Sequence, residues 1–255
     1  MDYALLVGID AYAPPNTLYG CLNDVTDVRL KLIDGYAFAP SSIQLLTDSA
    51  ATTAGIKRGL LDTVSELAPR DRFVFWYSGH GDQLVLGDAA TDVICPIDYA
   101  GTAATSITVA DFHTYFSQIP NGVRAYWGSD SCHSGDLERA MHRTGIPRLF
   151  QRPRHALPQT LRFVTMRDIA TTLPNIALLA GCRSNQTCAD SFINEHHNGA
   201  FTYYFLNVLD RVGGGQTPLR GLIREVQTAL TAAHFDQTPE LTGSPEAAAN
   251  PFLGD

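Results

Sequence analysis

Ser129-Asp130-Ser131-Cys132-His133-Ser134-Gly135 follows a mostly apolar run, Val123 to Trp127, and the architecture can be worked out from this junction. The run has the length of a buried strand, and the small polar residues after it mark a strand-to-helix turn that carries one thiol. A second junction of the same kind, Tyr77-Ser78-Gly79-His80-Gly81, closes the run Phe73-Val74-Phe75-Trp76 and sets His80 52 residues before Cys132. Parallel strands about 4.8 Å apart bring two such ends to one carboxyl edge of a sheet. A thiol placed there has an imidazole within reach as its base.

Outward from these junctions the chain keeps the same rhythm. Apolar runs at Ala4 to Ile9, Ile43 to Thr47, Arg72 to Tyr77, Val123 to Gly128 and Ile176 to Ala180 read as strands. Amphipathic segments at Asn23 to Ile33, Thr53 to Leu67, Val109 to Ser117, Ala200 to Val212 and Pro218 to Ala232 read as helices. The alternation predicts an α/β fold, a parallel sheet covered on both faces. Thr52-Thr53 and Thr108 offer N-cap hydroxyls, and Gly213-Gly214-Gly215 is a stop signal. Asp82 to Ser106 and Thr144 to Thr165 are expected to be irregular, and both leave the carboxyl side of a candidate catalytic strand.

With 255 residues, 45% hydrophobic and 17% charged, the chain can bury a large core, so one domain over residues 1–255 is expected. The amino terminus has no basic region and too short an apolar run for a signal peptide or a membrane span. A formal net charge of −8 argues against a nucleic-acid partner, which leans on clustered cations. Five scattered cysteines without CxxC spacing argue against a disulfide framework or a structural zinc, and favour a reducing cytoplasm. The basic residues are uneven: seven of the 18 lie from Arg139 to Arg167, a segment read as a flexible basic loop.

Cys132 reads as nucleophile and His80 as its base, because the thiolate is the reactive form and an imidazole lowers the thiol pKa and later protonates a leaving amine. Backbone N–H groups of Gly81 and Cys132 are placed to hold a developing oxyanion. A single cysteine after a strand is more often a small core hydrophobe; the paired motifs at this spacing favour catalysis. His133 adjoins Cys132 in sequence and reads as a helix-start or supporting residue. A metal site of His80, Cys132 and His133 is the weaker alternative, since vicinal Cys-His spacing suits a tetrahedral ion poorly.

The chain resembles the caspase-fold cysteine peptidases, and within them the metacaspase and bacterial orthocaspase branch. The likeness rests on Leu5-Leu6-Val7-Gly8-Ile9, Gly20-Cys21-Leu22-Asn23-Asp24, Leu45-Leu46-Thr47-Asp48, the two junctions above, Pro96-Ile97-Asp98-Tyr99, Gly181-Cys182-Arg183-Ser184-Asn185-Gln186-Thr187 and Gly199-Ala200-Phe201-Thr202, in family order. The His-to-Cys spacing agrees with that of caspases. The resemblance implies a caspase-like three-layer sandwich whose central sheet has six mostly parallel strands.

It further implies an acidic S1 pocket of Asp24 and Asp130 with the Ser78 hydroxyl, hence peptide or protein substrates with Arg or Lys at P1. The chemistry itself requires no cofactor. Calcium is implied as an activator, with Asp82, Asp88 and Asp92 as oxygen ligands, although the usual adjacent acidic pair is reduced to Thr91-Asp92 and a solvated loop is the other reading. A monomer is implied, with a role in stress, cell-death or defence proteolysis. Arginines of the preferred P1 type between Arg139 and Arg167 make self-cleavage in that segment an expectation. The competing reading is a catalytically silent caspase-like scaffold.

Overall fold

Alternate residues of the first strand face opposite ways, and both sets are apolar, so this strand must be covered on two sides. The computed structural model describes residues 1–132, 145–152, 161–173 and 175–254. In it β1 (Asp2–Gly8) sends Ala4 and Leu6 into one core with Val25, Val28 and Leu32 of α1 (Cys21–Tyr36). Leu5 and Val7 enter a second core, which β2 (Ile43–Thr47) flanks and α2 (Thr53–Glu66) fills with Ile56, Leu60 and Val64.

Next come β3 (Arg72–Ser78), then a hairpin of β4 (Gly81–Leu86) and β5 (Ala89–Ile94), then β6 (Ile107–Thr108), α3 (Val109–Phe116) and β7 (Arg124–Asp130). The described part of the region after Cys132 holds β8 (Ile146–Pro147), β9 (Arg162–Val164) and α4 (Met166–Thr172). β10 (Ile176–Ala180), β11 (Ala189–Ile193), β12 (His196–Gly199), α5 (Ala200–Arg211), α6 (Leu219–Ala232), β13 (Glu240–Gly243) and α7 (Pro245–Ala249) complete the chain.

The central sheet has six strands in the order β13-β10-β7-β3-β1-β2, all parallel except the edge strand β13, which runs antiparallel to β10. Its middle is dense: Trp76 on β3 stacks on Phe201 of α5 with ring planes 1° apart. Gly128 sits opposite Trp76 in the register, and a Cβ there would overlap the indole. The expected strands and helices stand within a few residues of their observed bounds. Thr52 caps α2 through Gly55 N–H, and Thr108 caps α3 in a reciprocal box with Asp111.

Two expectations are corrected. Asp82 to Ser106 is not irregular throughout, because β4 and β5 pair antiparallel from Gly81↔Ile94 to Leu86↔Ala89. The described parts of the expected basic loop are built into the fold: β9 pairs with β5, and β8 pairs with β11. His133, Arg139, Arg143 and Arg154 lie outside the described residues. Among the described residues, no helix is long and apolar enough to cross a membrane.

Candidate active site

Register brings the two junctions together. Ser78 ends β3, Asp130 ends β7, and the two are direct partners across adjacent parallel strands. His80 and Cys132 each follow two residues later, so both emerge at the same level of the carboxyl edge. Both are buried.

The surroundings of His80 fix its tautomer. Its Nε2 lies 2.7 Å from the carbonyl oxygen of Asn16, which can only accept, so Nε2 carries the proton. Nδ1 is buried and, among the described residues, has no hydrogen-bond partner, which leaves its lone pair available. The ring lies against Tyr12 and edge-on to Phe150. Burial lowers the imidazole pKa to about 4, with the positive charge of Arg148 acting in the same direction against the pull of Asn16. The ring is therefore neutral at pH 7. For Cys132, burial pushes the thiol pKa up, but hydrogen bonds from the Cys182 and Cys188 thiols and the Cys188 N–H outweigh it, and the net shift is downward.

The N–H groups of Gly81 and Cys132 converge on one atom, the carbonyl oxygen of Arg148, each at 3.1 Å. Around that residue the chain is extended. Ile146 and Pro147 pair antiparallel with Asp190 and Ala189 of β11, Arg148 N–H donates to Cys188 O at 3.0 Å, and Phe150 N–H donates to Gly81 O at 3.0 Å. The segment thus crosses the carboxyl edge as an added strand, the geometry by which extended peptides dock on sheets.

The Arg148 side chain is wholly buried among carboxylates. Its Nη2 is 2.8 Å from Asp24 Oδ2 and 3.8 Å from Asp190 Oδ2, and its Nη1 is 3.4 Å from Asp130 Oδ2. Nη1 also donates to Ser78 Oγ at 2.6 Å, and Ser78 Oγ donates to Asp24 at 2.5 Å. The carboxylates have further donors of their own: Asp24 accepts from Gly199 N–H, Asp130 from the N–H and hydroxyl of Thr202 in the first turn of α5, and Asp190 from the N–H groups of Tyr19 and Gly20. Burial still raises the Asp130 pKa to about 6; Arg148 pulls it down and Asp24 pushes it up. Gly199 is required by close approach, since a Cβ there would run into Asp130 and the Arg148 guanidinium.

Asp24, Ser78 and Asp130, chosen from sequence, therefore meet around one guanidinium, and Gly81 and Cys132 meet around its carbonyl oxygen. Sequence reasoning missed Asp190, which lies on a short polar strand outside the recognised motifs. It also missed Cys182 and Cys188 beside Cys132, and Asn16 behind His80. Arg148 carried no signal of its own; the adjacent Pro147 favours extended chain only at Ile146, the residue before the proline.

The three aspartates considered for calcium do not converge. Asp82 pairs with Val93 in the hairpin and Asp92 with Gln83, so neighbouring register positions turn their carboxylates to opposite faces. Asp82 is held by Arg152 and by the Tyr99 hydroxyl, Asp92 accepts from Gln83 and Met166 N–H, and Asp88 lies exposed in the turn. As arranged, these residues do not fit a shared calcium ion. Nor does His80 join any group of three metal-type ligands among the described residues, its Nε2 being committed to Asn16.

Comparison with known proteins agrees with this geometry. Residues 3–139 match the family described as metacaspase, peptidase C14 domain. Metacaspase-1 of Scheffersomyces stipitis is 29% identical over 94% of this chain and 70% of its own length. Metacaspase-1 of Schizosaccharomyces pombe is 28% identical over 94% of this chain and 67% of its own. Among solved structures, protein GSU0716 of Geobacter sulfurreducens covers 99% of this chain and 98% of its own at TM-score 0.72 and 23% identity. Caspase-1 of Spodoptera frugiperda covers 100% of this chain and 90% of its own at TM-score 0.61 and 13% identity, a likeness of fold. With its six-stranded, mostly parallel sheet and its matching peptidase domain, the chain belongs to the metacaspases, caspase-like cysteine endopeptidases of the hydrolase class.

Proposed function

We propose that this metacaspase cuts peptide bonds after arginine, or less readily lysine, through a Cys132/His80 dyad, and that Arg148 marks a bond it cuts in itself. The observation that carries the reading is the double engagement of Arg148: guanidinium against Asp24, Asp130 and Asp190, carbonyl oxygen on the N–H groups of Gly81 and Cys132. An arginine that merely filled the core would need the ion pairs. It would have no need to offer its carbonyl to those two amides or to run as a strand along β11. The preference for Arg over Lys follows from the fork, whose two terminal nitrogens engage separate carboxylates where an ammonium is a single point.

In this mechanism the Cys132 thiol gives its proton to His80 Nδ1 and the sulfur attacks the carbonyl carbon. The Gly81 and Cys132 N–H groups hold the oxyanion, a contribution of about 3 kcal/mol or more per donor in comparable sites. The C–N bond breaks as His80 returns the proton to the leaving amine. Water, deprotonated by the same nitrogen, then cleaves the thioester and releases the new carboxyl terminus. The segment at 146–150 lies along the S1 side of the cleft, so activation by a trigger or by cutting after Arg148 accords with its position. Every group involved comes from one chain, which suits a monomeric peptidase. A role in stress, cell-death or defence proteolysis is part of the proposal and rests on the family alone.

The test is turnover of fluorogenic peptides with Arg, Lys or Asp at P1 by the wild type and by Cys132→Ala, with intact-mass analysis alongside. Arginyl and lysyl peptides should be hydrolysed, the aspartyl peptide spared, and the variant inert. The wild type should yield a fragment ending at Arg148. Absence of hydrolysis together with an uncut wild-type chain would favour the scaffold reading.

A further inference from the structure

Peptide hydrolysis uses one of three thiols that converge at this end of the sheet. Cys132 follows β7, Cys182 follows β10 and Cys188 precedes β11; all three are buried, and their sulfurs lie within 4.8 Å of one another. The sulfurs of Cys182 and Cys188 are 3.1 Å apart, and the Cys132 sulfur accepts the Cys188 N–H at 2.6 Å. With Leu149 the three form an apolar cluster separate from both main cores. Core cysteines pack well as small hydrophobes, and these two thiols favour the Cys132 thiolate by donating to it, but a hydroxyl in either place would donate as well. What a neighbouring thiol can do is capture an oxidised one, since a sulfenic acid condenses with a thiol to a disulfide.

We propose that Cys182 and Cys188 form, with Cys132, a three-thiol relay that consumes hydroperoxides reaching the nucleophile and returns Cys132 to its reduced form. The proposal rests on the reading of Cys132 as the reactive thiolate. In the first step the Cys132 sulfur attacks a peroxide oxygen; an S–O bond forms, the O–O bond breaks, and alkoxide or hydroxide leaves. Cys188 then attacks the sulfenic sulfur; an S–S bond forms, and hydroxide departs as water with the Cys188 thiol proton. Finally Cys182 attacks the Cys188 sulfur, forming the Cys182–Cys188 disulfide and expelling Cys132 as thiolate, while the Cys182 proton neutralises the alkoxide. Two electrons pass from the Cys182/Cys188 pair to the peroxide, and Cys132 is unchanged.

The test treats the full chain, freed of reductant, with stoichiometric hydrogen peroxide and maps every cysteine by differential alkylation and mass spectrometry, with arginyl-peptide turnover measured before and after. The wild type should lose two hydrogens, show a Cys182–Cys188 disulfide, leave Cys132 alkylatable and keep its turnover. Cys182→Ser should stop at a Cys132–Cys188 disulfide, with turnover lost until dithiothreitol is added. Sulfinic acid at Cys132 in the wild type, Cys182 and Cys188 both free after Cys132 has been oxidised, or no cysteine oxidised at all would each overturn the relay. The wild-type map decides even if the variant does not fold. Lack of turnover before peroxide would count against the peptidase reading and leaves the thiol map to judge the relay.

Discussion

The carbonyl oxygen of Arg148 accepts the backbone N–H of Cys132 at 3.1 Å, so the residue whose side chain fills the acidic pocket also meets the proposed nucleophile through backbone. The arginine thus lies across the carboxyl edge of the sheet, held by the backbone N–H groups of Gly81 and Cys132, with its side chain paired to carboxylates from α1, β7 and β11.

Removing that arginine should destabilise the protein. In a Cys132→Ala background, where no cutting intervenes, Arg148→Ala leaves three buried carboxylates without their cation, and losing one partner of a buried pair costs about 3–5 kcal/mol. Thermal unfolding should show a clearly lower Tm, with Arg148→Lys falling in between. Added free arginine or an arginyl peptide should raise the Tm of Arg148→Ala, by refilling the pocket. No such response would mean that Arg148 is a fixed wall and not an occupant.

Substrate selection should fail separately from nucleophile reactivity. Asp130→Asn keeps the shape of a side chain that accepts from Thr202 and lies 3.4 Å from the Arg148 guanidinium, but removes its charge. Loss of a charged hydrogen-bonding partner is worth about 1.5–3 kcal/mol, so kcat/KM for arginyl peptides should fall roughly 10- to 150-fold. Burial and the Asp130 charge both push the Cys132 thiol pKa up, so with that charge gone alkylation of Cys132 by iodoacetamide should not slow in the variant, which separates a pocket defect from a damaged dyad.

How far the site was legible follows from register. Once β3 and β7 are parallel neighbours with Ser78 opposite Asp130, the His80 and Cys132 motifs fall together, and both strands announce themselves as apolar runs. β11 and β12 do not: Ala189–Ile193 and His196–Gly199 contain Asp, Ser, His, Asn and Gly, residues of weak strand preference, and hold their shape by pairing with each other. Asp190 and the channel in which residues 146–148 lie belong to that concealed hairpin. Arg148 itself was one of seven clustered cations, and only tertiary placement singles it out. The six-strand count came from resemblance because β13 is a four-residue edge strand with little apolar pattern.

The buried imidazole should make the protein less stable in acid. His80 has a pKa near 4 in the fold against an ordinary 6.5, so the unfolded chain binds a proton that the folded chain refuses. Its contribution is fully present above pH 6.5 and is lost as pH falls from there to about 4, amounting to roughly 3 kcal/mol across that window. Urea unfolding of Cys132→Ala at pH 7.5, 6, 5 and 4, compared with the same protein carrying His80→Gln, isolates the imidazole's contribution from carboxylate titration. The stability difference between the two proteins should shift in favour of the glutamine form as pH drops. Parallel curves would show that the ring is exposed to protons in the folded state.

Gly199 offers a steric test that replaces no charged side chain and neither member of the proposed dyad. It precedes α5, and its N–H donates to Asp24, while a methyl at its Cα would run into the Asp130 carboxylate and the Arg148 guanidinium. Gly199→Ala should therefore push a side chain into the pocket without altering its charge. Overpacking of a tight site costs about 1–3 kcal/mol, and here it falls on the Asp130 carboxylate as well as on the guest that fills the pocket. Hydrolysis of arginyl peptides should weaken mainly through KM, and lysyl peptides, whose slimmer head lacks the second nitrogen, should lose less. Equal losses on both substrates, or none, would place the pocket wall elsewhere than Gly199.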